Sequence, residues 1–410
     1  MNTTMKKILV LWVALAVAWV WLRTSPALAH EFSGYLAAEG RWYPENPNHF
    51  GQRDQSAALA VQPEYYHEWD NGSSFTFVPF YRWDSADSKR THFDVREMTV
   101  LWLHDDFELR LGVRKVFWGV TEFVHLVDII NQTDLVENID GEEKLGQPMV
   151  NLSLARDWGT LDLFVLPFFR ERTFPGSGGR LRFGLVVDTE NPQYESAAEE
   201  WHADWAARYS HTFGDWDVGL HYFIGTGRDP SFTLGTDGAG NPVIFPVYQQ
   251  IQQTGIDISY VAGSWLWKLE ALFRKGQGDR RGLAANDYVA ATGGFEYTLT
   301  GVFGSQMDLG IIGEYLFDDR KDDALTPFAN DLGFGLRLAA NDPASTEFLI
   351  GGLQDVDSNA RFVFIEAGRR LGDHWKLILE SRIFMDQEPT DFLFGLRDDD
   401  LVQLELKYYF

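Results

Sequence analysis

A transmembrane antiparallel β-barrel of 16–18 strands, with 18 the better count, is the fold class that this all-β sequence predicts. Three observations predict it. Apolar and polar residues alternate with period two in segment after segment, as in strands with one face in hydrocarbon and the other in water. The connections between those segments are alternately long and short along the chain. Charged side chains fall mainly on the faces that the apolar residues leave free, where an aqueous interior tolerates them.

The alternation is explicit. Trp265, Trp267, Leu269, Ala271 and Phe273 interleave with Lys268, Glu270 and Arg274; Leu332, Phe334, Leu336 and Leu338 interleave with Asp331, Gly333, Gly335 and Arg337. Reading the whole chain this way predicts strands at 33–43, 53–67, 74–84, 92–103, 107–117, 148–156, 160–171, 201–212, 215–227, 250–261, 265–275, 287–299, 305–317, 328–339, 346–355, 361–371, 374–385 and 399–410. Connections 118–147, 172–200, 228–249, 276–286, 318–327 and 386–398 are long, whereas Asp70-Asn71-Gly72, Asp157-Trp158-Gly159 and Gly372-Asp373 are tight. Long extracellular loops at one end and short periplasmic turns at the other are what a membrane barrel requires, and a soluble sandwich has no reason to keep that registration. Sixteen strands is the rival count, because the first strand, the poorly alternating 361–371 and the Gly-rich 299–305 are the weak segments. Either count gives a lumen wide enough to hold water.

Residues 1–29 read as a cleaved signal peptide: Lys6 and Lys7, an apolar run from Ile8 to Leu22, then Ala27-Leu28-Ala29. That leaves 30–410 as one transmembrane barrel domain, with 118–147 as a loop folded inward. A net charge of −25 argues against nucleic acid as a partner, since phosphates would not be neutralised. There is no cysteine, so neither disulfides nor thiol chemistry contribute. Aromatic residues make up 15% of the chain, a share that suits rings placed at membrane interfaces.

The sequence offers little to an enzyme. It has no Gly-x-Ser-x-Gly elbow, and adjacent Ser210 and His211 would point to opposite faces of a strand. Asp355-x-Asp357-x-Asn359 with Glu366 at the twelfth position has the spacing of a calcium loop, but Ala360 stands where the turn needs glycine and strands flank it. No cofactor or metal is expected. The acidic balance of the whole chain tilts a channel slightly toward cations.

The segment RKVFWGVTEFVHLVDIINQTDLVENIDGEE, residues 114–143, breaks the alternation. Phe117, Phe123, Val124, Leu126, Val127, Ile129, Ile130, Leu135, Val136 and Ile139 are too apolar for a loop in water. Phe123, Leu126, Val127 and Ile130 have helical spacing, which predicts a turn or two of helix packed on the inner wall. Its acids would then face inward arginines across a pore and impose a transverse field. The residues expected at such a constriction are Arg110, Arg114, Trp118, Glu122, His125, Asp128, Asp134, Glu137, Asp140, Arg170, Arg208, Arg337 and Arg382.

Two stretches carry a resemblance. The ending LVQLELKYYF alternates to a terminal aromatic and resembles the C-terminal signature of Gram-negative outer-membrane barrels, in which residues equivalent to Tyr408 and Phe410 are recognised by the barrel-assembly machinery. Gly112-x-Arg114-x-x-x-Trp118-Gly119, followed by Asn131-Gln132-Thr133-Asp134, resembles a motif of little-characterised proteobacterial porin families, although the proline usual after the asparagine is missing. The resemblance implies a channel in the outer membrane for passive diffusion of small hydrophilic solutes, in contact with outer-membrane lipids and lipopolysaccharide, and leaves a homo-oligomer open. In general porins the third long loop, the place that 118–147 holds here, narrows the pore. A non-conducting scaffold barrel for a partner protein is the alternative reading, and an outer-membrane lipid hydrolase a distant third.

Overall fold

The computed structural model describes residues 29–280 and 282–410; the segment predicted as a signal peptide lies, but for Ala29, outside them. Among the described residues eighteen strands form one closed antiparallel sheet. In chain order they are β1 Ala29–Trp42, β2 Gln55–Glu68, β3 Ser74–Asp84, β4 His92–His104, β5 Phe107–Arg114, β6 Gln147–Arg156, β7 Gly159–Leu166, β8 Asp204–Phe213 and β9 Trp216–Thr226, then β10 Gln250–Ala262, β11 Trp265–Asp279, β12 Gly282–Leu299, β13 Asp308–Asp318, β14 Asn330–Ala339, β15 Glu347–Asp355, β16 Arg361–Leu371, β17 Trp375–Met385 and β18 Leu401–Tyr409. Each pairs with its chain neighbours, and β1 closes on β18 from Tyr35 opposite Tyr409 to Trp42 opposite Val402. Gly34 and Phe410 exchange backbone hydrogen bonds of 3.1 and 3.2 Å at the end of that seam. Closure leaves no unpaired strand edge, which hydrocarbon would not tolerate.

The alternation resolves into two faces. Outward lie exposed Leu220, Leu269, Phe273, Ile311, Phe334 and Leu404; inward lie buried Arg82, Asp94, Arg96, Asp257, Glu270, Arg274 and Glu314. Aromatic pairs ring the short-turn end: Trp216 stacks on Tyr260 at 4.1 Å, Trp265 meets Tyr297 at 4.6 Å and Trp375 meets Tyr408 at 4.9 Å. Exposed Trp42, Trp83 and Trp205 mark the long-loop end. Such rings suit the two interfaces of a bilayer. On β3 the register against β4 shifts between Val78 and Pro79, where proline has no N–H to give to the ladder.

The first strand and 361–371 prove to be strands of the barrel, and 299–305 is the turn that joins β12 to β13, so eighteen is the count and sixteen falls. The differences lie at strand ends. β5 stops at Arg114 and β7 at Leu166, earlier than the alternation suggests, because the chain there leaves the wall. The expected loop 276–286 is largely strand, since β11 runs on to Asp279 and β12 begins at Gly282. Beyond the barrel, Ser231–Thr236 pairs with Pro242–Tyr248, to which Val186–Val187 and Gln193–Tyr194 add in parallel, building a small sheet from two long loops.

Phe334, 64% exposed at the middle of β14, tests the orientation of the wall. Phe334→Arg is expected to destabilise the barrel by about 2–4 kcal/mol, the cost of a charge near the bilayer midplane. Reversible urea unfolding in lipid vesicles measures it; a neutral effect would mean that the face does not meet lipid.

Candidate functional site

Residues 115–146 leave the wall after β5 and cross the interior in two lobes. Trp118 anchors the first. It is buried on the inner face of β7 to β9, edge-on to Phe164 at 5.7 Å and beside His221 at 5.0 Å, with the Arg208 guanidinium 5.3 Å from its ring. Gly119 follows with φ +145°, and a Cβ there would come within 3.0 Å of Glu270 Oε1. Glycine at that position therefore lets the backbone ride over the carboxylate.

That carboxylate, from β11, accepts the backbone N–H groups of Val120 at 2.6 Å, Thr121 at 3.0 Å and Val127 at 3.2 Å, and the Thr121 hydroxyl at 2.7 Å. Glu314 of β13 accepts those of Glu122 at 2.8 Å and Phe123 at 3.2 Å. The expected helical turns are absent: the described loop contains no helix. The N–H groups of Val120 to Phe123 and of Val127 are satisfied by wall carboxylates instead of by carbonyls four residues back, which is the physical reason the helical spacing misled. Phe123 drops into a notch over Gly333 and Gly351, where added Cβ atoms would lie 2.6 and 3.1 Å from its ring, and meets Phe364 at 5.9 Å.

The second lobe hangs from Asn131. Its side chain accepts Val116 N–H at 2.8 Å and donates to the Arg114 and Leu145 carbonyls at 2.9 and 2.8 Å, tying the two ends of the loop together. Gln132 Oε1 accepts Arg172 Nε at 3.1 Å, Thr133 bridges to Lys144, and Asp134 pairs with Arg96 at 2.8 Å while taking the Thr173 hydroxyl at 2.7 Å. Glu137 then enters a cluster of wall cations. Arg82 and His92 reach it at 2.8 and 2.9 Å, and Arg82 is shared with Glu39, which also holds Arg41 and Arg90. Burial disfavours its charge, yet Arg82, His92 and Arg90 together hold the Glu137 carboxyl well below the usual carboxylate range. Asn138 and Asp140 finish the crossing on β17, at Glu380 (3.1 Å) and Arg382 (3.0 Å).

The residues expected at a constriction therefore separate. Glu122 meets Arg337 at 2.6 Å and Asp140 meets Arg382, so these acids touch their arginines and do not face them across a gap. His125 pairs with Glu142 at 2.7 Å and Asp128 with Lys144 at 3.1 Å inside the loop. Arg110 pairs with Glu108, Arg114 with Asn151, Arg170 with Asp94 and Arg208 with Asp257, away from the loop acids. Asp134 and Glu137 lie buried against the wall, not toward the passage. The calcium-like spacing also dissolves: Glu366 pairs with Arg382 and Asp357 with Asn330. His92, Asp134 and Glu137 bring ligand atoms within 4.8 Å of one another, but Arg82 and Arg96 already neutralise them.

Sequence reasoning missed the cluster of Glu39, Arg41, Arg82, Arg90 and Arg96. Its signal was available, since Arg82 and Asp84 on β3 and Asp94 and Arg96 on β4 are two apart, on the inward phase of their strands. It also missed Arg172, Arg182, Arg228 and Arg320, which lie in connections where no period marks a direction. These last line a cavity of about 870 Å³ between the loop, the wall and the segments 172–187 and 392–396.

His125 supplies a pH test of the first lobe. Burial works against its charge, but the hydrogen bond to Glu142 and the proximity of Glu270, 3.9 Å away, raise its pKa from 6.5 to about 10. A raised folded pKa means that the docking contribution is complete below pH 6.5 and is lost as pH rises through about 10. The imidazole is expected to stay protonated at pH 8 by NMR, and proteolysis within 120–142 to increase above pH 10; His125→Gln should abolish that pH step.

No protein-family model matches the sequence, and no curated protein is similar to it. Among solved structures it is similar to Pseudomonas aeruginosa OpdQ, with 11% identity over 94% of this chain and 99% of that one, at a TM-score of 0.53. Vibrio cholerae OmpT (9% identity, 94% and 99% covered, TM-score 0.45) and a triple mutant of Rhodopseudomonas blastica porin (11%, 93% and 100%, TM-score 0.42) superpose less well. With its eighteen strands, its closing seam and its likeness to OpdQ over nearly the full length of both, the chain has the fold of a porin-like outer-membrane barrel.

Proposed function

We propose that this barrel is a channel of the Gram-negative outer membrane through which small hydrophilic solutes diffuse down their gradients, and that residues 115–146 narrow it. The observation that carries this reading is the pinning of the loop across the lumen by Glu270, Glu314, Arg96 and Arg382 on separate parts of the wall. A loop held at both lobes sets a cross-section, whereas a loop on one wall would leave the lumen wide. Export would use the signal at 1–29, and Tyr408 and Phe410 would present the assembly signal at the seam with β1.

A second observation favours the scaffold alternative. The connection 167–203 also reaches across the mouth: Gly176 N–H binds Asp87 at 3.0 Å, Gln52 donates to the Gly179 carbonyl at 2.7 Å, and Arg180 pairs with Asp399. Two crossing loops are compatible with a plug as well as with a filter.

Planar-bilayer recordings separate the two. The channel reading expects stable ohmic steps from the purified barrel and a severalfold larger conductance after deletion of 120–142. Silence before and after deletion, with the barrel shown to be folded, would leave only the scaffold.

A further inference from the structure

Beside the closing seam the outer face of the wall is concave. Leu404 on β18, Gly40 on β1 and Ala57 on β2 lie side by side in register near the long-loop rim. Elsewhere that rim carries bulky outward rings, Trp83, Phe93 and Trp205 among them. Gly40 and Ala57 are exposed and leave a groove of about 820 Å³, walled by Trp42 and Leu404 and bounded on the loop side by Pro47 and Arg53. The backbone does not demand this glycine. A Cβ at Gly40 would meet nothing within 4 Å, and its φ lies outside the left-handed region. A side chain would fit the fold and fill the groove, and glycine inside a strand otherwise weakens it, unless something else must approach closely.

The groove is graded in chemistry. Toward the membrane its low floor continues through exposed Ala38, which lies between Leu406 and Leu59 in register. Toward the loops it is polar. Arg53 is exposed, reaches the Ser85 carbonyl at 3.4 Å and forms no ion pair among the described residues. Asp54, Gln55 and Ser56 share that end of the lining. A soluble anion would gain nothing from the hydrocarbon floor, and a bare hydrocarbon chain would leave the guanidinium unused. A lipid with a phosphate for Arg53, hydroxyl and amide groups for Asp54 and Gln55, and an acyl chain for the floor meets every part. The long-loop rim faces the outer leaflet, where lipid A, a phosphorylated and acylated glucosamine disaccharide, has this composition.

We infer that this groove holds one lipid A moiety of lipopolysaccharide, with an acyl chain along Gly40 and Ala38 and a phosphate at Arg53. The inference rests on the place of the barrel in the outer membrane and not on conduction. A charge-assisted hydrogen bond to the phosphate and burial of the chain against the low floor supply the recognition.

The test titrates the full chain in detergent with lipid A, with dephosphorylated lipid A and with phosphatidylglycerol, and counts bound lipid by native mass spectrometry. The barrel is expected to retain a single lipid A, about tenfold more tightly than either control. Arg53→Gln should weaken lipid A about tenfold, the loss expected for one charge-assisted contact, and leave the dephosphorylated form unchanged. Gly40→Leu, which fills the groove, should abolish retention, whereas Ile311→Phe on the outer face of β13 should not. Folding is checked by heat-dependent mobility in gels; should Gly40→Leu fail to fold, Arg53→Gln carries the test. Equal retention of the three lipids, or lipid A binding unchanged by Arg53→Gln or by Gly40→Leu, would overturn the site. So would a dimer in light scattering that Gly40→Leu dissociates, because a second copy would then fill the groove. Bilayer recordings keep the two claims apart: a silent barrel that retains lipid A defeats the channel and leaves the site, and a conducting barrel that retains none does the reverse.

Discussion

A chain that crosses the inside of a barrel without helix or sheet must find partners for its backbone N–H groups, and here they come from two wall carboxylates. Glu270 takes three N–H groups and a hydroxyl, and Glu314 takes two N–H groups. Unpaired buried N–H groups would each forfeit a hydrogen bond, so these contacts decide whether the first lobe can lie where it does. Much else follows from them. Gly119 has to lack a side chain because Glu270 lies beneath it, and Gly333 and Gly351 have to be bare because Phe123 is delivered onto them.

The second lobe is held by a different balance. Glu137 and Asp134 are carboxylates brought into a wall already rich in Arg41, Arg82, Arg90 and Arg96, where Glu39 and Asp84 and Asp94 are too few to neutralise every cation closely. Removing either loop acid would leave buried guanidinium groups short of partners, which costs more than an intact pair contributes. The wall and the loop are thus complementary in charge, and the sheet of β1 to β4 is electrostatically complete only with the loop in place.

What was legible in the sequence was what repeats. Most of the eighteen strands declare themselves by alternation, because each has hydrocarbon on one side and water or charge on the other, while the first strand and 361–371 alternate only weakly. Trp118-Gly119 and Asn131-Gln132-Thr133-Asp134 were visible as a motif, and they are the wall anchor and the clamp at the base of the loop. The conformation of the loop was not legible. Phe123 and Val127 are spaced as on a helix, but the partners that override this spacing, Glu270 and Glu314, are remote in sequence and joined to it only by closure of the barrel. Pairing inside the lumen was hidden for the same reason: alternation tells which way Arg208 or Arg382 points, not which acid it meets.

The net charge of −25 is a poor guide to the interior. Exposed Glu190, Asp319, Asp322, Asp386 and Glu388 sit in the long connections, and Asp70, Asp105, Asp106, Asp157 and Asp215 in the short turns, so the acidity is carried in good part by the two rims. The cavity lining holds eight Lys and Arg side chains against seven Asp and Glu, before His125 is added. A solute would pass acidic rims, where charge is screened within roughly 8–10 Å at ordinary ionic strength, and then meet a nearly balanced interior whose charges are mostly spent on one another. In such an interior a field built by pairs of opposite sign at contact distance falls off quickly. The whole-chain charge thus says little about the field inside the barrel, which is set by neighbouring pairs rather than by the distant carboxylates of the rims.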